Sequence, residues 1–374
     1  METIITPKEK INKFMCENGF NFLSGVSQRR IADIIEASGT KGNTGKTSDY
    51  AEYSDVHRTT IGHFLKNGKW DEAKVSATAK RGVLKNIDEM AELIGSPIYF
   101  KVDDTISEKK QPSSKANCPT EGTGWHYSHL AGGYVFGHQL FASTVSCGEL
   151  SLCYELSRYA KAKGSKIEMT LDLIASLPVA NTETYALFDS WYTNTKTVNA
   201  FRAKNYTVIG ALKTNRIIYP DGNRFPISEF AASVSKDEFR LVTADNQEKY
   251  WVYRYVGNLN KINDVVVLIT YPHDCFGEKS ALRAFICTDL SMDSADILNH
   301  YANRWQIEVF FKQMKHYFGL DKFMIRSAAA IDRFLIILSL AYFFYVTALG
   351  FAISFSNGVR NLRSYFVQLF KFAL

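Results

Sequence analysis

The stretch YANRWQIEVFFKQMK, residues 301 to 315, places a phenol, two cations and a carboxylate at Tyr301, Arg304, Glu308 and Lys315. Read as one helix, their spacing puts all four on a narrow face, with Ile307, Phe311 and Met314 on another. A face that sets a carboxylate between cations addresses something anionic that also binds metal. The plainer alternative, a solvated face carrying ion pairs, needs only Arg304 and Glu308. Two further acids close apolar runs that read as strands: Asp103 ends YFKVDDT and Asp189 ends YALFDSWY. Strand ends are where open sheets hold ligands. If the two strands are neighbours, both carboxylates converge at one sheet edge and a helix alongside supplies Glu308. Three carboxylates without His or Cys form a hard oxygen site suited to Mg²⁺, with Mn²⁺ able to substitute. Two such ions about 4 Å apart would activate water or a 3′-hydroxyl and stabilise the leaving oxygen of an in-line phosphodiester displacement. Asp104 faces the other side of the same strand and is the alternative first carboxylate.

The elements that must position these groups change character along the chain. Residues 1–93 read as helices, with apolar residues three and four apart in QRRIADIIEASG and TTIGHFLKNGKW and a Gly, Ser and Thr-rich loop, GTKGNTGKTSDYAEYSD, between them. Ser54-Asp55 is the expected N-cap of a helix carrying His57, Arg58, Thr59 and Thr60 at its start. Such a helix is like the second helix of a helix-turn-helix, so a DNA-binding domain is expected here, a plain helical bundle being the alternative. Over 94–213 three strands are followed by alternating helix and strand, the order of a ribonuclease H-like core of α/β class. Residues 214–290 read as an inserted, mostly antiparallel set of strands, and 291–374 as the rest of the core with the Glu308 helix and C-terminal helices.

Charge is unevenly placed. From Ala302 onward there are nine Lys and Arg against three Asp and Glu, a difference equal to the whole formal charge of +6, which suits a phosphate backbone. Six scattered cysteines show no zinc spacing and read as reduced core thiols of a cytoplasmic protein. The start METIITPKEK has no apolar signal region. Phe334 to Phe355 is apolar and long enough to span a bilayer, but its Ser, Thr and Gly content also suits a helix buried on all sides, the expectation adopted here, with no membrane partner.

These residues resemble a bacterial DDE transposase of the insertion sequence four family. Its signature of Tyr, two residues, Arg, three residues, Glu, six residues and Lys is met at Tyr301, Arg304, Glu308 and Lys315. Asp189-Ser190-Trp191-Tyr192 is similar to its Asp followed by an aromatic, with Ser where the family often has Gly or Ala, and Asp103-Asp104-Thr105 to its strand-end Asp-x-Thr. The interval between Asp189 and Glu308 exceeds what a bare core needs and fits the family's inserted strands.

The resemblance implies a retroviral-integrase-like core in which Asp103, Asp189 and Glu308 hold two Mg²⁺ ions and Tyr301, Arg304 and Lys315 grip phosphates. It further implies double-stranded DNA partners, terminal inverted repeats and target, cut-and-paste chemistry through a hairpin, and a homodimer during synapsis. Relatives stabilise a flipped base with an aromatic of the inserted sheet, a role open to Phe285 or Trp251, although most aromatics of such a sheet are simply core, the default expectation for both. His126, His129 and His138 read as satisfied core or surface histidines, and Lys109, Lys110 and Lys115 as a solvated run that touches DNA only in the less expected case. A structure-selective nuclease on the same fold, or a non-catalytic DNA-binding regulator, are the rival readings.

Overall fold

Apolar residues three and four apart alternate with period-two runs along the chain, and the elements follow that pattern. The structure, a computed structural model, describes residues 7–40, 45–128 and 131–348. In chain order it has α1 (Pro7–Glu17), α2 (Gly25–Thr40), α3 (Thr47–Ala51), α4 (Arg58–Asn67), α5 (Glu72–Ile94), β1 (Ile98–Glu108), β2 (Gly124–Ser128), β3 (Gly133–Cys147) and β4 (Leu150–Arg158). There follow α6 (Lys166–Ser176), β5 (Thr184–Phe188), α7 (Thr195–Arg202), β6 (Thr207–Leu212), β7 (Ile217–Ile218), β8 (Phe225–Pro226) and α8 (Ile227–Ser233). The last are β9 (Arg240–Thr243), β10 (Lys249–Leu259), β11 (Ile262–Pro272), β12 (Arg283–Cys287), α9 (Ser294–Ala302), α10 (Trp305–Tyr317) and α11 (Ala328–Ala348). The class is mixed α/β. The chain divides into two compact units, Met1–Gly95 with Asp104–Lys163 and Glu308–Leu374, and Ser96–Asp103 with Gly164–Ile307.

In the first unit α11 is the central helix, packed against α2, α4, α5 and β4. Phe334, Leu335, Ile337, Leu338 and Ala341 are fully buried, and each large side chain there contributes roughly 1.5–3 kcal/mol. By length and composition α11 passes for a membrane span, yet two thirds of its most apolar window is buried inside this unit, the setting of a core helix. Residues 349–355 of the apolar stretch lie outside the described residues. α2 approaches α11 closely because position 39 is glycine: a Cβ there would stand 1.8 Å from Tyr345 Cζ. Tyr345 uses that approach to donate its hydroxyl to the Glu36 carbonyl at 3.1 Å.

Several local expectations need correction. The loop expected over 39–55 is partly helical, since α2 runs through Thr40 and α3 occupies Thr47–Ala51; residues 41–44 lie outside the described residues. Ser54 and Asp55 do not cap α4. Both bind the buried Arg30 guanidinium, and His57 is the N-cap, its ring nitrogen accepting from the Thr59 N–H. The six cysteines form no disulfide, but only Cys147, Cys153 and Cys287 are buried, while Cys16 and Cys118 are exposed. Lys109 is not part of a solvated run: its ammonium donates to the Asp321 carbonyl at 2.7 Å, lies 4.0 Å from the Phe323 ring centroid, and is pushed down to about 8 by burial. Lys110 and Lys115 are exposed.

β2 and β3 form an antiparallel ribbon, β3 continues antiparallel to β4, and the Lys109 N–H donates to the Phe136 carbonyl where the second half of β1 lies beside β3. His126 lies on β2, half-buried, and His129 is outside the described residues. His138 on β3 is fully buried and stacked on Phe323. Its Nδ1 lies 3.1 Å from the Gly122 carbonyl and its Nε2 meets no partner. Burial is the main force that pushes it down to about 4, with the Gly122 carbonyl opposing and the charges of Lys109, Arg158 and His126 assisting. The folded state therefore holds the neutral ring while the unfolded chain takes up a proton near pH 6.5. Stability is full above that pH and falls as pH drops from about 6.5 toward 4, by up to about 3 kcal/mol. Urea midpoints of wild type and His138→Gln, compared at pH 7.5 and 4.5, should show this extra acid loss only in the wild type.

The second unit is built on a large mixed sheet. Its parallel part runs from the first half of β1 to β5 and then β6, with Ile98↔Thr184 through Val102↔Phe188 in register. TYALF in β5 is buried at every position, as expected of a parallel strand covered on both faces. α6 begins with a Ser165–Glu168 capping box, and Asn194 caps α7. β6 then pairs antiparallel with β12, β12 with β11, and β11 with β10, which also meets β7 and β9, while β7 pairs with β8. The short helix α8 between β8 and β9 and the edge strand β2 were not foreseen. A core of Tyr99, Tyr185, Leu187, Ile209, Val266, Leu268 and Ile297 fixes α9 on the sheet.

Candidate active site

Because Val102 pairs with Phe188 in parallel register, Asp103 and Asp189 stand level where that pairing ends, but only Asp189 follows a strand end: β1 runs on to Glu108, so Asp103 lies inside its strand and does not close it as expected. The Asp189 carboxylate closes a turn, Oδ1 accepting the N–H groups of Trp191 at 2.9 Å and Tyr192 at 3.2 Å. The Thr193 hydroxyl donates to the Asp189 carbonyl at 2.7 Å. Asp103 Oδ2 accepts from Arg304 Nη1 at 3.3 Å, the two side chains only 20% and 17% exposed. Tyr301 shares this environment. Burial pushes its phenol up to about 12; Arg304 opposes that, while Asp189 and Asp103 add to it. The structure thus brings Asp103, Asp189, Tyr301 and Arg304 together in one unit.

Strand alternation explains how Arg304 is held. Tyr99, Lys101 and Asp103 point to one face of β1, and each meets the α9–α10 junction. The Tyr99 hydroxyl lies 2.8 Å from His300 Nδ1, Lys101 Nζ donates to Gln306 Oε1 at 2.6 Å, and Arg304 donates to Asp103. The junction is a real break, so residues 301 to 315 are not the single helix expected. α9 ends at Ala302, and the turn is tightened by bonds three residues apart: the Arg304 N–H to the Tyr301 carbonyl, Gln306 to Asn303, and Ile307 to Arg304. Tyr301 therefore closes one helix, Arg304 sits in the turn, and Glu308 and Lys315 belong to the next. Lys101 is a buried residue of this arrangement that sequence reasoning missed. Its signal was present: a lysine inside the apolar run YFKVD, two positions from Asp103 and on the same face. It is fully buried, and burial holds its amine well below the ordinary lysine range.

The remaining candidates are placed as follows. Glu308 lies in the first turn of α10, one helical turn along the chain from Arg304. Lys315 donates to the Ile106 carbonyl at 3.2 Å, and its ammonium is lowered by burial against the opposing effect of Asp321 and Glu108. Asp104 accepts from Gln139 Nε2 at 2.6 Å. Arg58, Thr59 and Thr60 are exposed at the start of α4. Phe285 packs on Tyr301 with ring centroids 4.7 Å apart, and Trp251 stacks on His273 under the Lys236 ammonium. Among the described residues no group of three or more His, Cys, Asp or Glu side chains stands ready to hold a metal ion. The donors at Asp103 and Asp189 are nonetheless carboxylate oxygens on neighbouring parallel strands, one residue past their last register pair, the chemistry a hard divalent cation takes.

A family model described as the transposase DDE domain matches residues 100–344. The chain belongs to this family. The matched segment contains every strand from β2 to β12 and the six candidate residues Asp103, Asp189, Tyr301, Arg304, Glu308 and Lys315, which makes this chain a DDE transposase by family. Among solved structures it is similar to a piggyBac transposase synaptic complex with hairpin DNA, at 12% identity and a TM-score of 0.49, covering 96% of this chain and 77% of that one. No curated protein matches the sequence.

Proposed function

We propose that this chain is the transposase of a bacterial insertion sequence of the insertion sequence four family, cutting and joining DNA at an Asp-Asp-Glu site on a ribonuclease H-like core. The observation that carries the reading is the placement of Asp103 and Asp189 side by side, each one residue beyond the last pair of the parallel strands β1 and β5, beside Arg304 and Tyr301 and inside the segment that matches the transposase family. The signature spacing assigns Glu308 as the third carboxylate, and the outward alternation of Asp103 and Asp104 favours Asp103 as the first. Two Mg²⁺ ions, with Mn²⁺ as a substitute, would supply Lewis-acid activation of the attacking and leaving oxygens when bound. Arg304 is a forked donor for a phosphate oxygen, and Lys315 a point charge for another. Tyr301 keeps its proton at neutral pH, so it acts as a hydrogen-bond donor and not as a base.

The helical region over 1–93 would bind the terminal inverted repeats, with Arg58, Thr59 and Thr60 at its reading edge, and the strands over 214–290 would shape the cleaved end. Residues 94–213 and 291–374 would form the core. Two copies would hold two ends in the cytoplasm, at the nucleoid. The test is a cleavage and joining assay on labelled duplex carrying the repeats that flank the gene. With Mg²⁺, nicks at the repeat end should be followed by joined product, and chelation should abolish both. Cutting that never leads to joining would replace this reading by a nuclease, and binding without cutting by a regulator.

A further inference from the structure

Two residues beyond Asp189 the chain keeps a large apolar side chain in water. Trp191 is 55% exposed, while its neighbour Tyr192 is fully buried, so the two aromatics of DSWY have separate roles. The Trp191 backbone is not loose, because its N–H is held by Asp189 Oδ1 at 2.9 Å. Two ammonium groups gather on this one indole: Lys166 Nζ at 4.8 Å and Lys213 Nζ at 5.6 Å from the ring centroid. They arrive from different elements, Lys166 from the first position of α6 and Lys213 from just beyond β6. An exposed indole flanked by two ammonium groups joins a flat stacking surface to positive charge, the pair of features that a base and its neighbouring phosphates use together.

We propose that Trp191, Lys166 and Lys213 form a docking platform for an unpaired nucleotide strand, the indole stacking one base while the two lysines take phosphates on either side of it. The inference rests on the proposed DNA-cutting role in one respect: it makes this the strand that leads to Asp189. The chemical class is single-stranded nucleic acid, because an indole face accepts any base that is free of its partner and the lysines read only backbone.

The experiment uses the full chain and a 12-nucleotide oligonucleotide carrying 2-aminopurine, titrated with chelator present so that no cleavage enters. Trp191→Ala should weaken binding about tenfold and abolish the fluorescence change of the analogue, and Trp191→Phe should keep most of both. Lys166→Gln with Lys213→Gln should lower the slope of log affinity against log salt by about 1.4 while leaving the fluorescence change in place. Unchanged affinity and fluorescence in Trp191→Ala, or an unchanged salt slope in the double lysine variant, would overturn the platform. The readout is independent of catalysis: a wild type that binds through Trp191 yet never cuts its own ends would remove the transposase reading and leave the platform standing.

Discussion

Asp103→Asn and Asp189→Asn are each expected to lower strand cleavage by about 10³-fold or more, equivalent to roughly 4 kcal/mol of lost transition-state stabilisation, with Asp104→Asn staying within about threefold of wild type. The adjacent acids of VDDT make this a sharp comparison, since the two substitutions are chemically identical and differ only in which side of β1 they occupy. Asp103 faces Arg304, and Asp104 faces Gln139. Asparagine preserves shape. At position 189 its carbonyl oxygen can still accept the N–H groups of Trp191 and Tyr192, so the turn is kept and only the negative charge is lost. Glu308→Gln should fall with the first two. Single-turnover cleavage of a labelled repeat end in Mg²⁺, beside binding measured without metal, separates loss of chemistry from loss of substrate. Cleavage by Asp104→Asn reduced as far as by Asp103→Asn would move the first carboxylate to the other face and break its association with Arg304.

The sheet was legible in the sequence because period-two and fully apolar runs are long signals. IYFKVD, TYALF and TVIGAL declare strands without any help from tertiary context, and their order supplied the parallel core. Their register was not legible, although it is what sets Asp103 level with Asp189, since pairing depends on how α6 and α7 seat the strands. The break between α9 and α10 was hidden for a different reason. YANRWQIEVFF has continuous helical periodicity and neither Gly nor Pro, and the turn is held by contacts from β1 that no local pattern encodes. Likewise, Ser54-Asp55 has the chemistry of an N-cap, but the buried Arg30 outcompetes the helix for both side chains and leaves the cap to His57. β2 was missed because GWHYS is short and lies at an edge, with two of its five residues exposed and none buried. Lys101 was passed over because a lysine in an apolar run is ordinarily taken to reach for water, and here its ammonium ends on Gln306.

Lys101→Met is the substitution that separates stability from activity in this fold. Removing a fully desolvated amine is neutral to stabilising, by up to several kcal/mol when an apolar side chain of the same length fills the space. Against this stands the loss of the donor to Gln306 Oε1, an unsatisfied acceptor costing about 1–3 kcal/mol. The two effects nearly cancel, so the melting temperature should change by no more than a few degrees. Activity should not be spared. A tie that holds the α9–α10 junction on β1 is lost, and that junction carries Arg304 and begins the helix of Glu308; a displacement near 1 Å costs roughly 10²-fold in rate. The expected result is a kcat about 10²-fold below wild type with KM for the repeat-end duplex within about threefold. A melting temperature that drops in step with activity would make Lys101 a packing residue, and unchanged kcat would show that the junction is fixed without Lys101.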